Sequence, residues 1–445
     1  MIERNALILL TKWSEKRNRK PLVLRGARQV GKTTLVNEFS KNFDNYLYLN
    51  LDEPRLSSIF DTDSSTEEIL NAIYIYLKQP KKEGRTLLFI DEIQNSPLAV
   101  ARLRYFYEQL PDIFVIAAGS LLESLIDIHI SFPVGRVEYL AIRPLTFIEF
   151  LTAFNETELK LQIENTQLSE LLHPLVMKYF NKYTLVGGMP EIVSQYTENE
   201  DLVALNDSYD SIFTGYKDDV EKYASSKTMV QAIRYILTEG WKYAAQSITL
   251  GGFDGSSYKS REIGEAFRTL EKTMLLELTY PASNYFPPIK TEAKRSPRLF
   301  WLDTGLVNYA AGIQIEIFGS KDIMDAWRGK IAEQIVGQEL LATDSRVSHR
   351  RNFWVRDKKG SDAEIDFIIQ HNSHIIPIEV KSGHNARLKS LHLFMEHANH
   401  DLAIRVWSNP FSIDLVKTSS GKEFRLLNIP FYYVGQIPHL LEIYD

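Results

Sequence analysis

The chain has 445 residues, enough for roughly three domains; 44% are hydrophobic and 24% charged, which gives a packed core and excludes wholesale disorder. The formal net charge is −6, so the chain as a whole is no polycation built to coat nucleic acid, although a local basic patch is compatible with that average. There is no cysteine, which excludes disulfide scaffolds, thiolate metal sites and thiol nucleophiles and fits a reducing compartment.

Near the start, Ala6-Leu7-Ile8-Leu9-Leu10 follows Glu3 and Arg4. It is too short for a signal-peptide core and reads as an amphipathic helix packed on the next domain. No apolar run is long enough to span a bilayer, and the expectation is a soluble, cytoplasmic protein with no membrane partner. Short apolar strands follow at 22–24, 46–51, 86–90 and 112–118, with helical patterns between them. Continuous apolar strands alternating with helices predict a parallel sheet covered on both faces, an α/β domain over residues 1–150.

The pattern changes after Pro144. Residues 147–245 are mostly helical, broken at Gly187-Gly188-Met189-Pro190. From Ser260 a stripe of Ile263, Phe267, Leu270 and Met274 predicts a helix. A strand from Leu275 to Tyr280, a loop with Lys290, Lys294, Arg295 and Arg298, and a strand over 299–302 complete the outline of a winged helix. This middle region is assigned to 151–315, and its loop is either a phosphate-gripping wing or a solvated one. A separate α/β unit, 316–445, opens with a helix over 324–341 and continues with strands at 352–356, 363–369, 375–380 and 402–407.

The segment Gly26-Ala27-Arg28-Gln29-Val30-Gly31-Lys32-Thr33 matches G-x-x-x-x-G-K-[ST], with Thr34 opening a helix. Its glycines let backbone N–H groups wrap phosphates, and the helix N-terminus adds a positive dipole there. Lys32 is expected at the β- and γ-phosphates of ATP, and Thr33 on Mg²⁺. Leu87-Leu88-Phe89-Ile90-Asp91-Glu92 is an apolar strand ending in two acids, placed where open parallel sheets bind ligands. Asp91 suits the Mg²⁺ and Glu92 the attacking water. Ser120, after the next strand, either senses the γ-phosphate or caps a helix. Arg136 is either an arginine finger or an ordinary salt-bridged arginine.

A second constellation lies near the C-terminus. If the turn is His371–His374, a symmetric hairpin sets Asp366 opposite Glu379, with Lys381 on the same face as Glu379. Facing carboxylates repel unless a divalent cation bridges them, and this donor set suits Mg²⁺ or Mn²⁺, with Lys381 acting on a metal-bound water. Glu333 lies on a helical stripe with Gly329, Val336 and Leu340 and is either a further member of the site or a boundary residue. The alternative for the hairpin is surface charge on an exposed sheet face.

The phosphate loop, Phe89–Gln94, Arg143–Phe150, Gly187–Pro190, Trp301–Leu306 and Glu364–Phe367 together resemble prokaryotic AAA-type, archaeal-ATPase-like P-loop proteins fused to an uncharacterised C-terminal domain. The last third is similar to the PD-(D/E)-x-K nuclease core, Asp366 matching its aspartate, Glu379 and Lys381 its E-x-K, and Glu333 its N-terminal helix acid. The resemblance implies a P-loop NTPase sheet, a helical and winged-helix middle region and a restriction-endonuclease-like α/β domain. The function expected is an ATPase coupled to a DNA-directed nuclease-like module. The alternative is an ATP-driven switch whose nuclease-like domain is an inactive protein- or DNA-binding module. A homo-oligomer, in which Arg136 would act in trans, and a monomer are both compatible with the sequence.

Overall fold

The computed structural model describes residues 2–119, 133, 135–224, 226–312, 329–357, 363–381 and 388–445. Five strands, β1 (Leu22–Arg25), β2 (Asn45–Asn50), β3 (Thr86–Asp91), β4 (Ile113–Gly119) and β5 (Glu138–Ala141), form one sheet in the order β2-β3-β4-β1-β5. Every pairing is parallel, and β3 is buried at all six positions, as its unbroken apolar run requires. Leu24, Phe89 and Ile116 pack against α1 (Asn5–Ser14) and α2 (Lys32–Phe39) on one face. Val23, Leu88, Ile90 and Val115 pack against α3 (Pro97–Gln109) and the helix over 66–76 on the other. The strand β5 was not expected, because it is short and only half of it is buried.

The middle region is helical. Its elements include α4 (Phe147–Ala153), α5 (Pro190–Asn199), α6 (Asn206–Tyr223), α7 (Lys227–Glu239) and α8 (Ser260–Lys272). A capping box between Thr146 and Glu149 starts α4. The helix α8 buries Ile263, Ala266, Phe267 and Leu270. It stops before Met274, which the sequence pattern had included; Met274 has a left-handed φ of 61° and turns the chain into the next strand. Strands β6 (Gln246–Ser247), β7 (Leu276–Thr279) and β9 (Arg298–Trp301) make a small antiparallel sheet, β6-β9-β7.

The loop between β7 and β9 departs from a free wing. Its first residues form β8 (Pro281–Ala282), which pairs with β10 (Phe353–Val355) of the last third. Tyr285 packs on Trp354 and Phe394 at ring separations of 5.4 and 5.3 Å. The loop is therefore docked against the C-terminal strands, because its apolar residues find a core there.

Beyond α9 (Thr304–Ala310), the described chain resumes at Gly329 and enters α10 (Lys330–Ala342). The segment expected as one strand over 363–369 is broken at Asp366. Its first part, β11 (Glu364–Ile365), pairs with β10, and its second part, β12 (Phe367–His371), joins another sheet. That sheet contains β13 (His374–Val380), β14 (Leu402–Trp407), β15 (Ser412–Lys417) and β16 (Glu423–Pro430) in the order β12-β13-β14-β16-β15. The β12–β13 hairpin runs from His371 opposite His374 to Phe367 opposite Ile378, the register set by a turn at Asn372, whose φ is 47°. The β13–β14 and β14–β16 pairings are parallel, and α11 (Lys389–His397) packs Leu391, Phe394 and Met395 into the core beneath this sheet. No helix among the described residues is long and apolar enough to cross a membrane.

Candidate functional site

The phosphate loop leaves the C-terminal end of β1 and closes on α2. Its backbone shape depends on two glycines. A Cβ at Gly26 would lie 2.3 Å from the carbonyl oxygen of Ile142, and Gly31 has a φ of +88° at the helix N-cap. Gln29 is also left-handed, with φ 63°. The loop is braced from outside. Arg4, from the turn before α1, donates to the carbonyls of Val30 at 3.0 Å and Arg143 at 2.7 Å and pairs with Glu149 at 3.1 Å. The Arg28 side chain pairs with Asp219 of α6, and the Tyr216 hydroxyl donates to the Arg28 carbonyl at 3.2 Å.

Lys32 is buried, its ammonium donating to the Gly26 and Ala27 carbonyls at 2.9 and 2.8 Å. Burial pulls its pKa down to about 8, against the opposing pull of Glu92 and Asp91. The Thr33 hydroxyl donates to Asp91 at 2.6 Å. Asp91 ends β3 and is 5% exposed; Glu92, next to it, has a left-handed φ of 50° and accepts from Gln94. Gly31, Lys32, Thr33, Thr34, Asp91 and Glu92 line one open cavity. The Thr33 hydroxyl and the Asp91 carboxylate it donates to at 2.6 Å, beside a cavity-lining lysine, are oxygen donors of the kind a nucleotide-bound Mg²⁺ takes.

Ser120 lies outside the described residues. Arg136 precedes β5, whose first residue Glu138 is level with Leu22 at the start of β1. That is the sheet edge opposite the phosphate loop. There Arg136 pairs with Glu108 at 2.8 Å, so it is a salt-bridged surface arginine with respect to this chain's own loop. The chain-start brace by Arg4 and the Arg28–Asp219 pair had no signal in the sequence, since each joins segments far apart in the chain.

The second constellation is brought together. Asp366, in the break between β11 and β12, accepts from the Val380 N–H at 2.8 Å. Glu379 pairs with Lys381 at 2.6 Å, while its other carboxylate oxygen is buried with no hydrogen-bond partner among the described residues. Glu333, on the first turn of α10, is pushed up to about 8 by burial and then by the nearby Asp366. Burial and Asp366 likewise raise Glu379 to about 7. A residue expected elsewhere completes the cluster. Arg298, assigned by sequence to a basic wing, is 7% exposed at the start of β9. Its guanidinium pairs with Glu333 at 3.1 Å, with Glu364, and with Asp366 at 3.6 Å, and it donates to the Asp366 carbonyl at 3.3 Å. Arg295 is also neutralised, by Glu292 and Asp357; Lys290 and Lys294 alone of the four are exposed.

Among the described residues no group of three or more His, Cys, Asp or Glu side chains is arranged to hold a metal ion. Glu333, Asp366 and Glu379 lie close together, with the Arg298 guanidinium against Glu333 and Asp366 and the Lys381 ammonium against Glu379.

Residues 328–424 match a domain of unknown function, DUF4143, and residues 177–316 another, DUF8612. An uncharacterized protein of Methanocaldococcus jannaschii, MJ1544, is 27% identical over 361 residues, 78% of this chain and 71% of its own. Among solved structures, the Walker-type ATPase PABY2304 of Pyrococcus abyssi aligns with a TM-score of 0.43 and 14% identity, covering 70% of this chain and 96% of that one. The Thermotoga maritima RuvB Holliday junction branch migration motor aligns with a TM-score of 0.27 and 14% identity, over 62% and 90% of the two chains. Residues 18–151, which contain the whole parallel sheet, the phosphate loop and Asp91, match the family model described as an AAA domain.

Proposed function

We propose that the protein is an ATP-hydrolysing AAA-type ATPase whose nucleotide state acts on a nuclease-like, DNA-directed C-terminal unit in the cytoplasm. The observation that carries the ATPase reading is the Thr33–Asp91 contact of 2.6 Å beside Lys32. It joins the phosphate loop to the acidic end of β3, the two parts that phosphate and Mg²⁺ need together. In this reading the backbone of Gly26 to Thr34 cradles the phosphates, Lys32 neutralises them, Thr33 and Asp91 face the Mg²⁺, and Glu92 orients water. The C-terminal part is supported by the meeting of Asp366, Glu379, Lys381 and Glu333.

A second reading is favoured by Arg298, which already neutralises that cluster. Here the C-terminal unit is a non-catalytic binding module, and ATP only changes its disposition. One set of assays separates the readings. Lys32→Ala is expected to abolish Mg²⁺-dependent phosphate release from ATP, and Asp366→Ala to leave it intact. Cleavage of plasmid DNA with Mn²⁺ by the wild type and not by Asp366→Ala supports the nuclease-like reading; equal behaviour of the two supports the binding module. Normal hydrolysis by Lys32→Ala would refute the nucleotide assignment.

A further inference from the structure

The carboxylate cluster of the C-terminal unit contains a cation that belongs to another part of the chain. Arg298 is the first residue of β9, in the middle region, and its backbone is fixed between Ser247 of β6 and Thr279 of β7. Its side chain leaves that sheet and reaches Glu333 on α10, Glu364 on β11 and Asp366 in the break that follows. The guanidinium also lies over the Phe353 ring, 4.7 Å from its centre. A planar five-donor group suits several carboxylates at once, and here it stands where opposed acids would otherwise repel.

Among the described residues, Glu333, Glu364, Asp366 and Glu379 face two cations, Arg298 and Lys381. Among the described residues, one oxygen of Glu379, a residue only 5% exposed, is buried and unpartnered. A buried carboxylate oxygen with no donor is costly, and it marks the side of the cluster that the guanidinium does not serve. A divalent cation would serve it, but Arg298 holds the Glu333 and Asp366 oxygens that such an ion also needs. Arginine cannot be titrated away at any ordinary pH. The site can therefore change cation only by movement of the arginine.

We propose that Arg298 is a resident counter-ion that gates this centre, so that a divalent cation binds Glu333, Asp366 and Glu379 only when the Arg298 side chain withdraws. The proposal rests on the nuclease-like reading for the identity of the incoming ion, but not on any DNA cleavage. Withdrawal exchanges one cation for another at Glu333 and Asp366. The gate is carried by the strand β9, outside the unit it controls, which makes the centre's metal occupancy depend on how the middle region sits against it.

The test counts bound Mn²⁺ by electron paramagnetic resonance on the nucleotide-free, full-length chain. Wild type and Asp366→Ala are expected to give the same count, since the C-terminal centre takes no ion in either. Arg298→Gln is expected to gain one site, raising its Mn²⁺ count by one over the wild type. Adding Asp366→Ala to Arg298→Gln is expected to abolish the gain. The proposal is overturned if the wild type already binds a Mn²⁺ that Asp366→Ala removes, or if folded Arg298→Gln gains none. Arg298→Met, which keeps the stem and loses the charge, repeats the test should the glutamine variant not fold. Failure of both to fold makes the guanidinium a structural staple and overturns the gate as well. A gained Mn²⁺ site without plasmid cleavage sinks the nuclease reading and leaves the gate standing.

Discussion

Lys32 is a charged group held almost out of water, with two backbone carbonyls as its hydrogen-bond acceptors. Burial lowers its pKa from 10.5 to about 8. The folded chain thus sheds this proton before the unfolded chain does. The unfolded state binds more protons between those values, and the group's penalty on folding fades as pH rises through that window. The same titration acts oppositely on nucleotide binding, because a neutral amine no longer attracts phosphate. With Mg²⁺ saturating, ATP affinity is expected to hold to about pH 8 and then to fall by up to about tenfold per pH unit. Calorimetric titration between pH 7 and 9.5 reads this directly. Lys32→Ala should bind weakly with no such slope, and a flat wild-type profile would mean that this amine is not the phosphate partner.

Single elements here are joined by buried acids that cross between regions, and this governs stability. Glu339 of α10 accepts from the Phe147 N–H at the start of α4, at 3.0 Å, and from the Tyr183 hydroxyl, at 2.6 Å. Burial raises its pKa to about 7. Between its usual value of 4.5 and about 7, the unfolded state is the one that loses the proton, so stability contributed by this group is present in acid and lost as pH rises. Glu339→Gln keeps an acceptor and removes the charge. At pH 8 it is expected to raise stability by roughly 1–2 kcal/mol, less than removal of the buried charge alone would give, because the new amide hydrogens lack a partner. At pH 5 it should be neutral or slightly destabilising. Urea melts of both proteins at the two pH values check the crossing; a difference that does not change with pH rules the titration out.

At the same scale, the sequence showed most where chemistry is local. The phosphate loop and the end of β3 are each a contiguous run, and the β12–β13 register followed from where a turn residue had to fall. The wing misled because Ala282, Tyr285 and Ile289 look like loop residues until the C-terminal core that buries them is in view. Arg298 misled for the same reason: its partners lie 35 to 68 residues away, and a basic residue among lysines reads as solvated. The strand β15 escaped because Ile413 and Leu415 alternate with polar residues yet stay exposed at the sheet edge.

Across the whole molecule, the two functional regions are linked through short, stiff contacts. Gly31 of the phosphate loop faces Pro190, whose ring would lie 3.4 Å from a Cβ there. Two residues earlier, the Gly188 N–H donates to Asp303 at 2.6 Å, and a Cβ at Gly187 would lie 2.1 Å from the same carboxylate. Asp303 is fully buried, caps α9 through the Leu306 N–H, and stands two residues beyond β9, the strand that carries Arg298. Such close backbone approach leaves little room for one piece to move without the next. A spatial chain is not itself coupling, so the consequence must be measured. A non-hydrolysable ATP analogue with Mg²⁺ is expected to change hydrogen exchange first in residues 26–34 and then, beyond the site, in the turn at Gly187–Gly188 and in β9. Pro190→Ala should leave the first change in place and reduce the second. Protection confined to the phosphate loop in the wild type would show that the C-terminal centre does not sense the nucleotide by this route.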